Sequence, residues 1–322
     1  LNLRGNARTS GEQRRKESGS VFGEGTRTPI TITLLVKNPA KKEEKAAIYY
    51  HDIGDYLTRE QKLDIIKNFR SIRNIEWKDI KPNEKNDWIN LRDGMFDSLI
   101  PLIEKNNIKS FFNMNPVGIV SARDSWVYGF NKSSVQSNVK KLVDTFYKQK
   151  EIHKKGDNTI INDETLISWS VNLRNYISRD TIIRYNCEVD MREANYRPFT
   201  KQQLMYNIFL IERPGKQFNI YPRDKDIIQI AICGSSSSKD FSAIMSDKVT
   251  DFSFVSSTQC FPLYWYEEKK NRQKTLFDEE SGEDYIRRDG ITDWILKEVR
   301  GRYHASNITK EMIFYYVYGL LH

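Results

Sequence analysis

Residues 30–36 constrain the fold of this chain more than any other segment, because apolar side chains occupy both faces of one short stretch. In an extended chain Leu35 points to one side, and the opposite side carries Ile30, Ile32, Leu34 and Val36. Strands that are apolar on both faces are typical of sheets buried on both sides. Residues 1–29 are polar and arginine-rich and supply no further strand. The sequence therefore predicts a buried strand at 30–36 and a chain that is the later part of a larger protein.

The charge of the chain favours a polyanionic partner. Its 322 residues include 51 Lys and Arg against 43 Asp and Glu, which gives a net charge of +8 and a pI of about 9.1. Nucleic acid is the commonest partner of such basic proteins. Many proteins that bind no nucleic acid are equally basic, so charge alone does not decide. The length allows a sizeable core and two domains.

The cysteines and histidines lack the spacing of a disulfide framework or a metal site. Cys187, Cys233 and Cys260 are odd in number and contain no CxxC pair, which favours reduced thiols in a cytosolic protein. The four histidines form neither HxH nor HExxH. The longest apolar run, 313–321, is much shorter than the roughly 20 residues of a membrane-spanning helix. We expect a cytoplasmic protein without a membrane partner.

Capping signals and apolar periodicity predict a mixture of helices and strands. Thr58 and Gln61 form a capping box before a helix, and an irregular helical region is expected over 77–99. Strand-like segments are predicted at 48–57, 111–130, 227–233 and 252–266, and further helices after Ser133, near 166–173 and after Thr309. Charged segments at 37–47 and 153–159 indicate breaks between these regions.

The arginine-rich segment from Arg4 to Arg27 is the strongest candidate for contacts with phosphate groups. Guanidinium groups bind phosphates in a bidentate manner, and the glycines of this segment let the backbone approach closely. The interspersed glutamates are equally consistent with a solvated loop that binds nothing. The DNA-backbone contacts predicted in this segment are Arg8, Arg14, Arg15, Lys16 and Arg27.

Three further cations are candidates for contacts with a nucleic acid. Arg123 lies among aromatic residues in SARDSWVYGF. We expect it to contact a base edge, and the alternative is a pair with Asp124. Arg197 precedes Pro198 in YRPF and is a candidate for a phosphate or base contact, with an internal salt bridge as the alternative. Lys239 belongs to CGSSSSKDF, which follows an apolar strand and precedes a helix-like segment. That geometry suits an anion, although a plain surface loop is the alternative.

No catalytic site is predicted in this chain. Asp64, Glu76 and Lys78 resemble the D…ExK motif of metal-dependent nucleases, but Asp64 falls on a predicted helix rather than on a strand. The sequence contains no glycine-rich S-adenosylmethionine loop, no NPPY or DPPY tetrapeptide, no GxSxG and no helicase motif. We therefore assign neither catalytic nor metal-binding residues.

Several segments together resemble the type ISP restriction–modification enzymes. These are large single polypeptides with nuclease, helicase-like motor, adenine-N6 methyltransferase and target-recognition parts. The segments that carry the resemblance, in the family's order, are RGNARTSGEQRRKESGSVFGEGTRTPITITLLVKNP, IYYHDIGDYLTREQKL, SARDSWVYGF, YRPFTKQQLMY, CFPLYWYE and ITKEMIFYYVYGLLH. The resemblance implies that residues 1–45 end the methyltransferase domain and that 46–322 form the target-recognition domain, with a sub-boundary near 153–160.

The resemblance also implies an α+β fold, with terminal strands of a methyltransferase sheet followed by a mixed helix and strand domain. The expected function is sequence-specific recognition of double-stranded DNA, which positions an adenine for N6 methylation and licenses cleavage of unmethylated DNA. The expected partners are DNA and the upstream methyltransferase, motor and nuclease parts of the same enzyme. No cofactor is expected in this chain, whereas S-adenosylmethionine, ATP and Mg²⁺ are expected for the full-length enzyme. The alternatives are part of a multi-subunit DNA adenine methyltransferase, a nuclease, or a basic scaffold that docks other enzyme domains.

Overall fold

The chain forms two compact units, Leu1–Leu99 and Ile100–His322. Both combine short helices with small sheets, which confirms the predicted α+β class. The predicted boundary at residue 45 lies inside the N-terminal unit and stays a prediction. In the described part of the chain, no helix is long and apolar enough to cross a membrane. The computed structural model describes residues 1–23, 25–40, 46–91, 93–104, 109–157, 159–235, 237, 239–269 and 284–322.

The N-terminal unit contains short helices and a small sheet. Its elements are the helices α1 (Gly11–Glu17) and α2 (Arg59–Phe69), the antiparallel strands β1 (Ile48–Tyr50) and β2 (Lys78–Ile80), and the 3₁₀ helices Ile72–Asn74 and Gly94–Ser98. The predicted capping box is confirmed at the start of α2, where the side chain of Thr58 accepts from Gln61 N and the side chain of Gln61 accepts from Thr58 N. The small core beneath α2 is built on Leu3, Val21 and Ile53.

Residues 30–36 do not form the predicted buried strand. The described residues give this segment one isolated bridge, from Thr31 to Asn2, and leave Leu35 90% and Val36 92% exposed. The segment lines an apolar groove of about 890 Å³ within the N-terminal unit. A strand needs a neighbour that completes its backbone hydrogen bonds. Residues 1–4 pair with Ile30 and Ile32, but no described element of this unit supplies a partner along 33–36.

The predicted helical region over 77–99 is also wrong. Its first part forms β2, and among the described residues of the region only Gly94–Ser98 has helical backbone. Met95 and Phe96 in this 3₁₀ helix are 67% and 65% exposed. An apolar stripe that is not buried against a neighbour gives little support to a regular helix.

The C-terminal unit contains the remaining helices and strands of the described residues. In order they are α3 (Asp124–Val127), β3 (Tyr128–Gly129), α4 (Lys132–Lys154), α5 (Val171–Ser178), α6 (Cys187–Asp190), β4 (Met191–Arg197), β5 (Thr200–Met205), α7 (Gln217–Ile220), β6 (Gln229–Ile232), β7 (Ala243–Ser246), β8 (Val249–Thr250), β9 (Gln259–Pro262), β10 (Tyr264–Glu268), β11 (Tyr285–Asp289), α8 (Asp293–Tyr303) and α9 (Lys310–Leu321). The helix predicted near 166–173 starts later, at Val171, because the side chain of Ser170 caps it by accepting from Leu173 N.

One core of the C-terminal unit forms between a sheet and the long helix α4. The sheet has the order β3–β5–β4–β8, with β4 and β8 parallel and the other pairs antiparallel. Asn131 caps α4 by accepting from Ser133 N at 2.9 Å, so the helix begins slightly before the predicted start. The predicted apolar stripe is confirmed by the burial of Val135, Val139, Leu142, Val143 and Phe146.

A second core lies around the antiparallel sheet β7–β6–β9 and the helices α8 and α9. The predicted strand at 227–233 is confirmed as β6, whose residues are all buried. Phe112 lies 5.0 Å from Phe261 and 6.2 Å from Phe314 between ring centres, which joins the sheet to α9. The helix α9 starts near Thr309 as predicted, and the side chain of Thr309 caps it by accepting from Met312 N at 3.2 Å.

The strand-like segment predicted at 111–130, as a hairpin or two short strands, forms isolated bridges, α3 and the two-residue strand β3. Ile119 bridges to Asp251 and so brings this segment against β8. Gly118 is needed at this crossing, since a Cβ there would lie 2.5 Å from the backbone oxygen of Asp251. This close approach holds Asp251 in a buried position, from which its side chain contacts Arg197.

Candidate nucleic-acid interface

The structure brings together three of the cations predicted to contact DNA in the N-terminal unit. Ala7 N donates to Arg27 O at 3.1 Å, and Arg14 Nη1 donates to Ala7 O at 3.2 Å. Arg8 directly follows Ala7 in the chain. Arg8, Arg14 and Arg27 are exposed and belong to one surface, which we name the basic patch.

Arg15 and Lys16 lie on the last turn of α1, where both are exposed. Arg15 Nη2 is 3.4 Å from Glu12 Oε2, but the two side chains are 77% and 55% exposed. A pair this open to water contributes little to stability and leaves the guanidinium able to exchange partners. Both residues therefore extend the cationic surface along α1.

The segment that carries the basic patch is folded, because Glu17 and Lys62 hold it in place. Glu17 Oε2 accepts from Gly5 N at 3.0 Å and from Asn6 N at 3.3 Å. Lys62, on α2, is 1% exposed and donates to Glu17 O at 2.7 Å and to Gly19 O at 2.9 Å. The solvated-loop alternative fails for the backbone of this segment, since the buried Lys62 and the half-buried Glu17 satisfy several of its polar groups.

Arg197, at the end of β4, is held by two aspartates and a tyrosine. Its Nη1 lies 2.8 Å from Asp251 Oδ1 and its Nη2 lies 3.4 Å from Asp124 Oδ2. The guanidinium stacks over the ring of Tyr196 at 3.8 Å, and Tyr196 OH donates to Asp124 Oδ2 at 2.9 Å. The sequence alternative of an internal salt bridge for Arg197 named Glu188, Asp190 or Glu193, but the partners in the structure are Asp124 and Asp251, and the side chain remains 35% exposed.

Asp251 is the buried anchor of this cluster, with a side chain that is 5% exposed. Burial raises the pKa of Asp251 to about 6, the negative charge of Asp124 adds to this rise, and the hydrogen bond from Ser253 N and the charge of Arg197 oppose it. At neutral pH the carboxylate is ionised, so the ion pair with Arg197 is formed.

The turn after Arg197 exposes an aromatic residue that sequence reasoning missed. Pro198 and Phe199 connect β4 to β5. Phe199 is 95% exposed and its φ is +59°. The available signal was the Pro–Phe pair between two strand-like segments, since proline at the second position of a turn leaves the third position at the tip.

Arg123 is buried, and this placement does not support its predicted contact with DNA. Its side chain is 0% exposed, its Nη1 donates to Leu210 O at 2.5 Å, and its Nη2 donates to Ser170 Oγ and lies 3.3 Å from Glu212 Oε2. Burial lowers the pKa of Arg123, and the charge of Glu212 opposes that change. The pairing with Asp124 that we weighed is replaced by this one. Arg123 joins three segments of the C-terminal unit instead of facing a ligand.

Lys239 lies on the connection between β6 and β7, where it is exposed. The antiparallel strand β7 follows this loop, so the predicted strand–loop–helix geometry for binding an anion is wrong. Lys239 N donates to Ser237 Oγ at 3.0 Å. Ser236 and Ser238 of the predicted loop lie outside the described residues. Lys239 remains a candidate for phosphate contact as an exposed cation only.

The nuclease-like triplet gains no support from its surroundings. Asp64 lies on α2, as predicted, and Lys78 begins β2. Over the ranges that the structure describes, no three or more His, Cys, Asp or Glu side chains are grouped to hold a metal ion.

The chain resembles several solved structures, among them the three that follow. A nuclease-deletion mutant of the Type ISP restriction-modification enzyme LlaGI, in complex with a DNA substrate mimic, is 34% identical with a TM-score of 0.68, over 90% of this chain and 27% of that one. The ATP-dependent Type ISP restriction-modification enzyme LlaBIII bound to DNA is 29% identical with a TM-score of 0.77, over 100% of this chain and 20% of that one. A DrdV–DNA complex is 25% identical with a TM-score of 0.74, over 100% of this chain and 30% of that one.

The present chain thus spans between 20% and 30% of the length of these structures. No curated protein matches the chain. Residues 110–322 match the model of the Type ISP C-terminal specificity domain, which covers more than half of the sequence. These residues contain the Arg197 cluster and the two larger cores of the C-terminal unit. The chain therefore belongs to the Type ISP C-terminal specificity domain family, as its sequence segments predicted.

Proposed function

We propose that this chain is the specificity part of a restriction–modification enzyme and recognises a particular sequence in double-stranded DNA. The observation that carries the proposal is the match of residues 110–322 to a specificity domain, together with three related structures that hold DNA or a DNA mimic. In the full-length enzyme this recognition positions an adenine for N6 methylation and licenses cleavage of unmethylated DNA. S-adenosylmethionine, ATP and Mg²⁺ act in the methyltransferase, motor and nuclease parts, which are the proposed protein partners.

Within this function the basic patch and the cations of α1 contact the DNA backbone. Phosphate contacts supply affinity that falls with salt, whereas sequence is read by side chains at base edges. Arg8, Arg14 and Arg27 suit the first role because they are exposed on a folded segment. Arg197 suits a contact nearer the bases, since its guanidinium is oriented by Asp251 and still 35% exposed.

Selection of bound duplexes from a randomised DNA pool tests the proposal, at low and at near-physiological salt. We expect the purified chain to recover an asymmetric consensus that contains adenine. If the recovered duplexes share no consensus and their binding decreases steeply with salt, sequence recognition is contradicted and only electrostatic attachment remains. The absence of binding at either salt concentration would overturn DNA recognition by this chain.

Charge removal tests the role of the basic patch. The triple variant Arg8→Ala/Arg14→Ala/Arg27→Ala is compared with Lys132→Ala/Lys148→Ala/Lys297→Ala, which removes the same charge from exposed helical positions of the C-terminal unit. Each lost phosphate contact reduces the slope of log K against log salt by about 0.9. We expect a reduction of about 2 to 3 for the patch variant and less than about 1 for the control. Equal reductions would contradict a specific role for the patch.

A second function, docking of another enzyme part, is favoured by the apolar groove of the N-terminal unit. The groove has a volume of about 890 Å³, and its lining includes Leu34, Leu35, Val36, Trp77 and Trp88. Exposed apolar surfaces of this kind mark interaction sites. We propose that residues 1–45 belong to a methyltransferase domain whose remaining part packs there. A methyltransferase part supplied as a separate chain should raise the melting temperature, and Leu35→Glu/Val36→Glu should abolish the increase.

A further inference from the structure

The tip of the β4–β5 hairpin carries a side chain that the fold does not use. Phe199 is 95% exposed, and no large apolar residue among those the structure describes is more exposed. A phenyl group left in water contributes none of the stabilisation that burial provides. The tertiary structure of the C-terminal unit therefore gives no reason for an aromatic residue at this position.

The backbone at the same position disfavours any residue with a Cβ. Phe199 has a φ of +59°, in the left-handed region where the Cβ crowds the following carbonyl oxygen. Glycine or asparagine is the usual choice at this position of a turn. The chain thus accepts strain in the backbone in order to hold an aromatic ring in solvent. Strain that the fold does not require is typical of sites that contact a ligand.

The support beneath the ring is rigid. Pro198 restricts the preceding backbone, and Arg197 is fixed by Asp251 Oδ1 at 2.8 Å and by stacking on Tyr196 at 3.8 Å. On the other side of the turn, Lys201 Nζ is 3.0 Å from Asp247 Oδ2. Both cations beside the turn are oriented by aspartates, and between them the phenyl ring of Phe199 projects furthest into solvent, at 95% exposed. A ring held in this way loses little conformational freedom on binding.

We infer that Phe199 inserts between adjacent base pairs of bound duplex DNA and unstacks them. This inference rests on the proposed function and adds the residue that distorts the duplex. Phenylalanine is among the apolar side chains that proteins insert between base steps, and every base offers a face on which the ring can stack. Insertion removes the exposed ring from water and so recovers the stabilisation that the free protein lacks.

Phe199→Gly separates this role from folding, because glycine suits a φ of +59°. We compare it with Phe199→Trp, which keeps a stacking surface, and with Tyr303→Ala, which removes a 65% exposed aromatic residue elsewhere in the same unit. The full chain is assayed on duplexes recovered from the randomised pool. Three quantities are measured: the melting temperature, the dissociation constant from fluorescence anisotropy, and the permanganate reactivity of thymines, which reports unstacking.

We expect the unaltered chain to produce a localised site of reactive thymines. Phe199→Gly should melt no lower than the unaltered chain. It should bind about tenfold more weakly, because the base–aromatic stack is lost, and it should lose the reactive site. Phe199→Trp should keep the site, and Tyr303→Ala should change neither binding nor reactivity.

Binding and reactivity of Phe199→Gly equal to those of the unaltered chain would overturn the inference while leaving the proposed function standing. Weaker binding of Phe199→Gly with the reactive site retained would also overturn insertion, since the ring would then touch only the duplex surface. Failure of the unaltered chain to bind any duplex would overturn the proposed function, and this inference with it.

Discussion

Replacing Glu212 by glutamine tests whether a buried ion pair holds the C-terminal unit together around Arg123. The Arg123 side chain is 0% exposed and Glu212 is 14% exposed, with 3.3 Å between Nη2 and Oε2. Glutamine keeps the size of the side chain and an oxygen that can accept from Asn172 N, as Glu212 Oε1 does at 3.2 Å. It removes the negative charge and leaves the guanidinium charge buried without an opposite partner.

The expected loss of stability depends on the burial of the ion pair more than on the distance between its charged atoms. At 3.3 Å and an effective dielectric constant near 20, the attraction between Arg123 and Glu212 is about 5 kcal/mol. Lys140 and Asp144 lie closer, at 2.6 Å, but both are more than half exposed, and in water their attraction is about 2 kcal/mol before screening and entropy reduce it. Breaking a buried pair costs about 3–5 kcal/mol, whereas an exposed pair contributes about 0–1 kcal/mol. We expect Glu212→Gln to destabilise the chain by about 3 kcal/mol.

Thermal and urea unfolding of Glu212→Gln, with Asp144→Asn as the control, measure this difference. For domains of about 150–250 residues, 1 kcal/mol corresponds to about 2–4 °C in melting temperature, so Glu212→Gln should melt about 6–12 °C lower. Asp144→Asn should melt within about 2 °C of the unaltered chain. A loss below about 1 kcal/mol for Glu212→Gln would refute the reasoning, because Arg123 would then not depend on a charged partner.

Two further predictions concern packing and pH. Gly290→Ala should destabilise the C-terminal unit by about 1–3 kcal/mol or more in urea unfolding, because the new Cβ would lie 1.8 Å from Pro262 O, and an unchanged midpoint would contradict this close approach. The pKa of Asp251 is about 6 in the folded chain, which is above its value in the unfolded chain. The folded state therefore binds the proton more tightly, and this stabilisation is complete below about pH 4. It is lost as the pH rises through 6, by up to about 3 kcal/mol. In unfolding measured from pH 4 to 7, Asp251→Asn should lack this loss, and parallel pH profiles for the two proteins would contradict the assignment.

Local signals in the sequence predicted those elements that depend on neighbours a few residues away. The predictions confirmed are the capping box of Thr58 and Gln61, the start of α9 near Thr309 and the apolar stripe of α4, because each is set by helical spacing. The strand at 227–233 is confirmed because its apolar run is buried on every side. The family also followed from the sequence, since its long segments occur in the expected order.

The predictions that failed depended on partners distant in the chain. Residues 30–36 have the pattern of a buried strand, but their hydrogen bonds with residues 1–4 end at Ile32, and no described neighbour in the N-terminal unit continues the ladder along 33–36. CGSSSSKDF has the pattern of an anion-binding loop, but β7 rather than a helix follows it. The hydrophobic pattern of a segment indicates which of its surfaces must be buried. The hydrogen-bond partners available to its backbone decide which secondary-structure element it forms.

The sequence by itself determined the family, the α+β class and the cations that were candidates for DNA contact. Only the tertiary structure decided which of those cations face solvent. Arg123 and Arg197 are both arginines beside aromatic residues, yet Glu212, 89 residues along the chain, holds Arg123 in the interior, and Asp124 and Asp251 hold Arg197 at the surface. The tertiary structure also placed Phe199 in solvent at the hairpin tip. A side chain's exposure and charge partner depend on segments far apart in sequence, and no local pattern specifies where those segments meet.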